Sequence, residues 1–282
     1  MTRLVTGSLF VVATPIGNMG DVTLRAIDTL RAVPIVAAED TRRTHALLEH
    51  LGIGGKRLVS LHAHSSAGEV ERLASYLAAG EDVAYATDAG TPLVSDPGSA
   101  LVAAAIRVGA RVVPIPGASS VLAALVKSGL ASDAGFRFVA FLPRDGPRRR
   151  EAIERIASTP EPVVIFESAL RIGATLEELA SAMPDRAASV VREITKVYEE
   201  AVCGKLSELA GDARQWRGEI TLVLGSHRPE DRETIDDLAI DARIQDELSR
   251  GVHAKAIAEH LAAWSGRPRR ELYARVVAMK RG

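Results

Sequence analysis

The sequence predicts an α/β protein made of two α/β domains, the first with a mainly parallel sheet and the second with a mixed sheet, followed by a small helical module. Three observations carry that expectation. Over residues 1–130, short β-rich runs alternate with helical patterns that close on glycine, the pattern of a parallel sheet with crossover helices. Over residues 131–227, two β-rich runs stand almost side by side, a spacing that an antiparallel hairpin accommodates and a parallel crossover does not. Over residues 235–282 only helical periodicities remain.

In the first domain the expected strands are 9–13, 35–38, 58–61, 83–87 and 112–115. The helices between them are 23–33, 42–51, 69–79 and 100–108, with Gly52, Gly80 and Gly109 at the stop positions. A further helix, 119–127, ends at Gly129, and polar residues 131–135 mark the joint. In the second domain the strands are 136–142, 163–166, 188–193, 197–202 and 220–224, with fewer helices between them. Only Thr195 and Lys196 separate the third from the fourth, which predicts a hairpin and a mixed sheet. Residues 228–233 are a polar linker, and helices 236–249, 254–264 and 269–280 complete the chain.

Composition sets the boundaries of function. The 282 residues are 47% hydrophobic and 25% charged, enough for a full core. The first apolar run is stopped by Pro15 and Gly17, and no apolar stretch is long enough to span a bilayer, so a cytoplasmic protein with no membrane partner is expected. One cysteine, Cys203, excludes an internal disulfide or thiolate cluster. A formal net charge of -1 argues against coating nucleic acid by bulk electrostatics, but two local patches are basic: residues 144–155 and 241–282.

Ligands of open α/β sheets bind beyond the carboxyl ends of the strands. Three such ends carry Gly/Pro loops: Thr14-Pro15-Ile16-Gly17-Asn18-Met19-Gly20-Asp21, the stretch Asp88 to Gly98, and Pro116-Gly117-Ala118-Ser119-Ser120. Each alone is an ordinary turn. Together they suit a small ligand held through main-chain groups. No phosphate-binding or dinucleotide fingerprint is present, which disfavours nucleoside triphosphates and dinucleotides. Polar clusters also end apolar strands at Glu39-Asp40-Thr41-Arg42-Arg43, Glu167-Ser168 and Arg192-Glu193-Ile194-Thr195-Lys196, where helix capping and ion pairing compete with a substrate-facing role. His62 and His64 share a face but lack metal-site spacing, and no metal is expected.

The residues Ala13-Thr14-Pro15-Ile16-Gly17-Asn18 with Asp21, Thr23 and Arg25, then Ala38-Glu39-Asp40-Thr41-Arg42, Asp88-Ala89-Gly90-Thr91-Pro92 and Ser95-Asp96-Pro97-Gly98 follow one another in a familiar order. With Phe141-Leu142-Pro143-Arg144, Phe166-Glu167-Ser168, Arg192-Glu193 and Thr195-Lys196, they resemble the ribosomal RNA small subunit methyltransferase I family, a branch of the tetrapyrrole methylase-like superfamily. The resemblance runs from Leu9 to Leu224 and extends more weakly to a helix-turn-helix-like tail. Ala140 stands where that family usually has glycine, and Ala118 and Ala169 where it usually has proline.

The resemblance implies a cleft between the two α/β domains, S-adenosylmethionine as cofactor, and methylation of a cytidine ribose 2′-hydroxyl in the decoding region of 16S rRNA. The partner implied is the small ribosomal subunit, and the assembly a homodimer. Cofactor binding is carried onto Pro15, Asp88, Ala89, Gly90, Ser119, Ser120, Phe166 and Gly218. A base to take the hydroxyl proton is sought among Asp40, Glu167, Glu193 and Lys196. RNA phosphates are assigned to Arg42, Arg43, Arg144, Arg148, Arg149 and Arg150, and in the tail to Lys255, Arg267, Arg269 and Arg270. Two other readings stay open at this point: a methyltransferase of a small tetrapyrrole-like metabolite, and a ribosome-assembly or cofactor-binding protein without turnover.

Overall fold

Parallel pairing organises the first half of the chain. The computed structural model describes residues 6–62, 65–93, 98–226, 237–265 and 269–281. His64, residues 94–97 of the second loop, the linker 228–233, Asp236 and Arg267 with its neighbours Gly266 and Pro268 lie outside the described residues. Internal contacts divide the chain into two units, Met1–Ser226 and His227–Gly282.

In the first unit β1 (Ser8–Val12), β2 (Ile35–Ala38), β3 (Arg57–Ser60), β4 (Val83–Ala86) and β5 (Arg111–Ile115) form an all-parallel sheet in the order β3-β2-β4-β1-β5. Side chains alternate across a strand, so each strand feeds two cores. Leu9, Ile35, Val83 and Tyr85 pack with Leu73 and Leu77 of α3 (Ala67–Ala78) and Leu101 of α4 (Ser99–Arg107). Val12, Val36, Ala84 and Ala86 pack with Leu30 of α1 (Leu24–Ala32) and Leu48 of α2 (Thr41–His50). Burial on both faces is why Ile35–Ala38 and Val83–Ala86 read as unbroken apolar runs.

The second sheet orders as β6 (Arg137–Phe141), β7 (Val163–Ser168), β10 (Glu219–Leu224), β8 (Ala187–Arg192), β9 (Glu200–Lys205). Only β6 and β7 pair in parallel; the other three pairings are antiparallel. One face packs on α6 (Gly146–Ala157), α7 (Ile172–Ala182) and α8 (Leu206–Ala210) through Ile153, Ile156, Leu176, Leu179 and Leu206. The other takes α5 (Ser120–Ser128), whose Val121, Ala124 and Leu125 meet Val164, Val191 and Val223. Although α5 follows a strand of the first sheet, its core belongs to the second. Ala140 lies at a bulge in β6 with φ 58°, a left-handed conformation that explains why glycine suits this position.

The expected hairpin needs correction. β8 and β9 do pair antiparallel, but β9 begins at Glu200, three residues later than predicted, and residues 193–199 form the turn. Val197 and Tyr198 read as strand yet are exposed. The turn is held internally: Lys196 N–H donates to Glu193 O at 2.9 Å, Glu199 N–H to Lys196 O at 3.1 Å, and Thr195 N–H to Glu199 Oε2 at 2.6 Å. Glu193 and Thr195 take positive φ, 51° and 67°.

The second unit holds α9 (Asp237–Ser249), α10 (Ala254–Ser265) and α11 (Arg269–Arg281), packed around Ile240, Ile244, Ile257, Leu261, Leu272 and Val276. Arg275 of α11 pairs with Asp237 and Asp241 of α9. Among the described residues no helix is long and apolar enough to cross a membrane.

Candidate active site

The three Gly/Pro loops are tied together at the carboxyl ends of β1, β4 and β5. Thr14 and Gly90 exchange backbone hydrogen bonds of 3.0 and 3.1 Å, Thr14 Oγ1 donates to Thr87 O at 3.2 Å, and Thr91 Oγ1 donates to Ala118 O at 3.0 Å. Gly90 has φ +82°, and a Cβ there would lie 3.2 Å from Ile16 Cγ2.

These loops form one wall of a cavity of about 420 Å³, and the second sheet forms the other. Ala89, Gly90, Ser119 and Ser120 line it from the first side, Phe166 and Gly218 from the second. Pro15 and Asp88, expected with them, instead line a neighbouring cavity of about 350 Å³. Phe166 meets Phe138 edge-on at 4.9 Å and Phe141 at 5.6 Å, and both Phe166 and Phe141 face the first cavity. Ser119 caps α5 through its Oγ, which accepts from Leu122 N–H at 3.4 Å, so the helix N-terminus opens on the same space.

At the far wall the 193–199 turn reaches the first loop. Lys196 Nζ donates to Glu193 Oε1 at 3.0 Å and Glu219 Oε2 at 2.7 Å. A Cβ on Gly17 would lie 2.4 Å from Lys196 Cγ, so the lysine stem rests directly on that loop. Glu193 Oε1 also accepts from Glu219 N–H at 2.9 Å and abuts Gly218, where a Cβ would lie 2.3 Å away.

Two of the four candidate bases are corrected by this geometry. Glu167 alternates with Phe166 on β7, so its side chain points to the α6–α7 face, fully buried. There it accepts from Thr175 Oγ1 at 2.9 Å and Ser168 N–H at 2.8 Å and lies 3.5 Å from Arg171, which itself donates to the Leu142 and Pro143 carbonyls. The Glu167 carboxylate is thus engaged with Thr175 and Arg171 at the β7 end, although the residue also borders the first cavity. Burial pulls the Lys196 pKa down, but its hydrogen bonds to Glu219 and Glu193 outweigh that and the net shift is upward, which keeps it a cation. Asp40 and Glu193 remain as carboxylates. Hydrogen bonds from the Arg42 side chain hold Asp40 well below the usual range, and the Glu219 N–H, supported by Lys196, lowers Glu193.

Of the arginines assigned to RNA, Arg42 is exposed and paired with Asp40 at 2.7 Å, and Arg43 pairs with Asp88 at 3.3 Å. Arg144, Arg148 and Arg150 are exposed. Arg149 is a correction: its side chain is 7% exposed and engaged with Glu178 at 2.8 Å, Pro143 O at 2.9 Å and Thr175 Oγ1 at 2.9 Å. It anchors α6 to α7 and offers nothing to phosphate. In the second unit Lys255 and Arg270 are exposed, and Arg269 pairs with Glu259 at 2.6 Å. The sequence assigned no role to Phe141, Thr91, Arg171 or Thr175. Phe141 is legible as an aromatic ending a strand and Thr91 lies inside a quoted loop motif, whereas Arg171 and Thr175 carry no local signal.

Residues 8–210 match the family model described as tetrapyrrole (corrin/porphyrin) methylases. Solved structures share the fold: uroporphyrin-III C-methyl transferase from Thermus thermophilus complexed with S-adenyl homocysteine (TM-score 0.55, 22% identity, 78% of this chain and 97% of that one) and the methyltransferase CobJ (TM-score 0.60, 18% identity, 78% and 95%). Closer in sequence are proteins named ribosomal RNA small subunit methyltransferase I. That of Micromonospora olivasterospora is 43% identical over 96% of this chain and 86% of its own length, and that of Halalkalibacterium halodurans is 39% identical over 95% and 93%. The class is therefore a methyltransferase of the tetrapyrrole methylase fold. Within it, the chain belongs to the ribosomal RNA small subunit methyltransferase I family.

Proposed function

We propose that this chain is a cytoplasmic S-adenosylmethionine-dependent methyltransferase that methylates the 2′-hydroxyl of a cytidine in the decoding region of 16S rRNA, with the small ribosomal subunit as partner. The observation that carries the reading is the 420 Å³ cavity, walled by backbone of the Ala89–Gly90 and Ser119–Ser120 segments and by Phe141 and Phe166. Its volume falls among small-molecule sites. The cofactor fits this lining: peptide groups at Gly90 and Gly218 allow close approach, the N-terminus of α5 favours a carboxylate, and two aromatic rings favour a sulfonium cation. When bound, S-adenosylmethionine supplies an activated methyl group and its own leaving group.

The chain's residues supply alignment and proton removal. Ala89, Gly90, Ser119, Ser120, Phe166 and Gly218 hold the cofactor and exclude water from the reacting side. The proton of the ribose hydroxyl goes to Asp40 or Glu193, and alanine variants separate the two: the base variant loses turnover and retains cofactor binding. Arg42, Arg144, Arg148, Arg150, Lys255, Arg269 and Arg270 contact phosphate and Arg43 contacts the RNA beside Asp88, giving binding that weakens with salt. With the chain read as domains 1–130, 131–227 and 235–282, cofactor chemistry is assigned to the first two and RNA contact to all three.

The same chain forms a homodimer through the flank of β5 and α5. β5 is an edge of the first sheet, and beside it runs an apolar groove lined by Val112, Pro114, Leu122 and Phe136, with Leu122 and Val126 exposed. Sedimentation tests this: Leu122→Arg with Val126→Glu yields monomer, and an unchanged mass excludes that face. For the reaction, methyl transfer from labelled cofactor to unmethylated small subunits is expected, and transfer to a tetrapyrrole instead overturns the substrate assignment.

A further inference from the structure

The second cavity, about 350 Å³, lies beside the first and within the first lobe alone. The stretch after β4 divides the two: Thr87 and Asp88 line the second cavity, while Ala89, Gly90 and Thr91 line the first. The two cavities thus meet at the Asp88–Ala89 segment. The second cavity has an apolar side at Pro15, Met19 and Leu47 and a charged side at Arg43 and Asp88. Asp88 Oδ1 accepts the Asp40 N–H at 3.0 Å, and Oδ2 lies 3.3 Å from Arg43 Nη1. The Arg43 side chain is 67% exposed, so most of its N–H groups are not used by that pair.

We propose that this cavity receives a single nucleotide splayed out of the RNA, its ring against Pro15, Met19 and Leu47 and its base edge read by the Arg43–Asp88 pair. The inference rests on the function proposed above, and it adds where the reacting nucleotide sits and how its base is chosen. The volume suits one nucleotide and not a paired strand, and sequence-specific RNA recognition works on single-stranded segments whose bases can be splayed out and read on their edges. The Arg43–Asp88 pair presents a donor next to an acceptor. Cytosine offers the complement, an acceptor at N3 next to a donor at N4, and a carboxylate is a suitable partner for that amino group. Uracil offers the two in reverse, setting its O4 against the carboxylate.

Ala46 lines the cavity from the exposed side of α2, so Ala46→Trp fills it with a helix-compatible side chain. In the full-length protein the variant is expected to keep its melting temperature and bind cofactor within about twofold of wild type, while kcat/KM on unmethylated small subunits falls at least tenfold or so. A variant as active as wild type overturns the inference, and so does one that loses cofactor binding in proportion. A second measurement stands apart from turnover: titration with cytidine and uridine monophosphates by NMR. Cytidine monophosphate is expected to shift α2 resonances more strongly than uridine monophosphate, Ala46→Trp to abolish the shifts, and Asp88→Asn to remove the preference. Cytidine monophosphate binding that Ala46→Trp leaves intact overturns the pocket. If the nucleotide binds as expected but wild type transfers no methyl to subunits, the functional reading fails and the pocket stands.

Discussion

Gly218→Ala tests how the far wall of the cofactor cavity is built. Gly218 has φ +81°, and a Cβ there would lie 2.3 Å from Glu193 Oε1 and 2.5 Å from its Cδ. A left-handed conformation costs a non-glycine residue about 1–2 kcal/mol. Overpacking adds about 1–3 kcal/mol. The carboxylate relieves the clash only by leaving Lys196 and the Glu219 N–H, so relief has its own cost. The sum, roughly 2–5 kcal/mol, corresponds to a fall in Tm of roughly 4–20 °C for a unit of this size. Thermal unfolding by circular dichroism reads the fall, and calorimetric titration reads an accompanying loss of cofactor affinity. In a Glu193→Ala background the steric part disappears and the φ strain stays, so the same substitution costs about 1–3 kcal/mol less there. A Tm within about 1 °C of wild type, with cofactor affinity unchanged, refutes the reasoning.

Other outcomes follow from the same contacts. Lys196→Met keeps the stem against Gly17 but removes the cation between Glu193 and Glu219; cofactor affinity drops about tenfold, and the acid limb of the pH–rate profile moves up if Glu193 is the base and stays in place if Asp40 is, whereas a loss of turnover of about a thousandfold with intact cofactor binding would instead restore Lys196 as the base. Arg149→Ala leaves the Pro143 carbonyl and Thr175 without their partner and costs about 2–4 kcal/mol in denaturant unfolding, with the salt slope of RNA binding unchanged; Arg148→Ala leaves stability alone and lowers that slope by about one. Because the Glu193 pKa is lowered on folding, its contribution is fully present above the ordinary glutamate range and is lost as pH falls through the lowered value. Stability followed by Tm should therefore decline on acidification less in Glu193→Gln than in wild type.

The first sheet was readable because burial on two faces leaves an unmistakable mark: four-residue apolar runs, each followed by a glycine-closed helix. The second lobe was less so. Val197 and Tyr198 look like strand, and only the hydrogen bonds of the 193–199 turn, with its two residues at positive φ, hold them out of the sheet. Arg149 sat in a charge run that reads as solvated surface, yet it shares an i, i+3, i+4, i+7 stripe with Ala152, Ile153 and Ile156, and that stripe is buried. Glu167 was likewise betrayed by strand alternation with Ile165. The split of the Asp88–Gly90 loop between two cavities had no such signal, because it depends on the Thr14–Gly90 bridge, a contact between residues far apart in sequence.

A methyl donor held in the first cavity, with its methyl group passing to a ribose hydroxyl, leaves one diagnostic product. Unmethylated small ribosomal subunits, incubated with the protein and labelled S-adenosylmethionine, should yield rRNA whose digest contains labelled 2′-O-methylcytidine. Label on a base, on protein or nowhere at all would contradict that transfer.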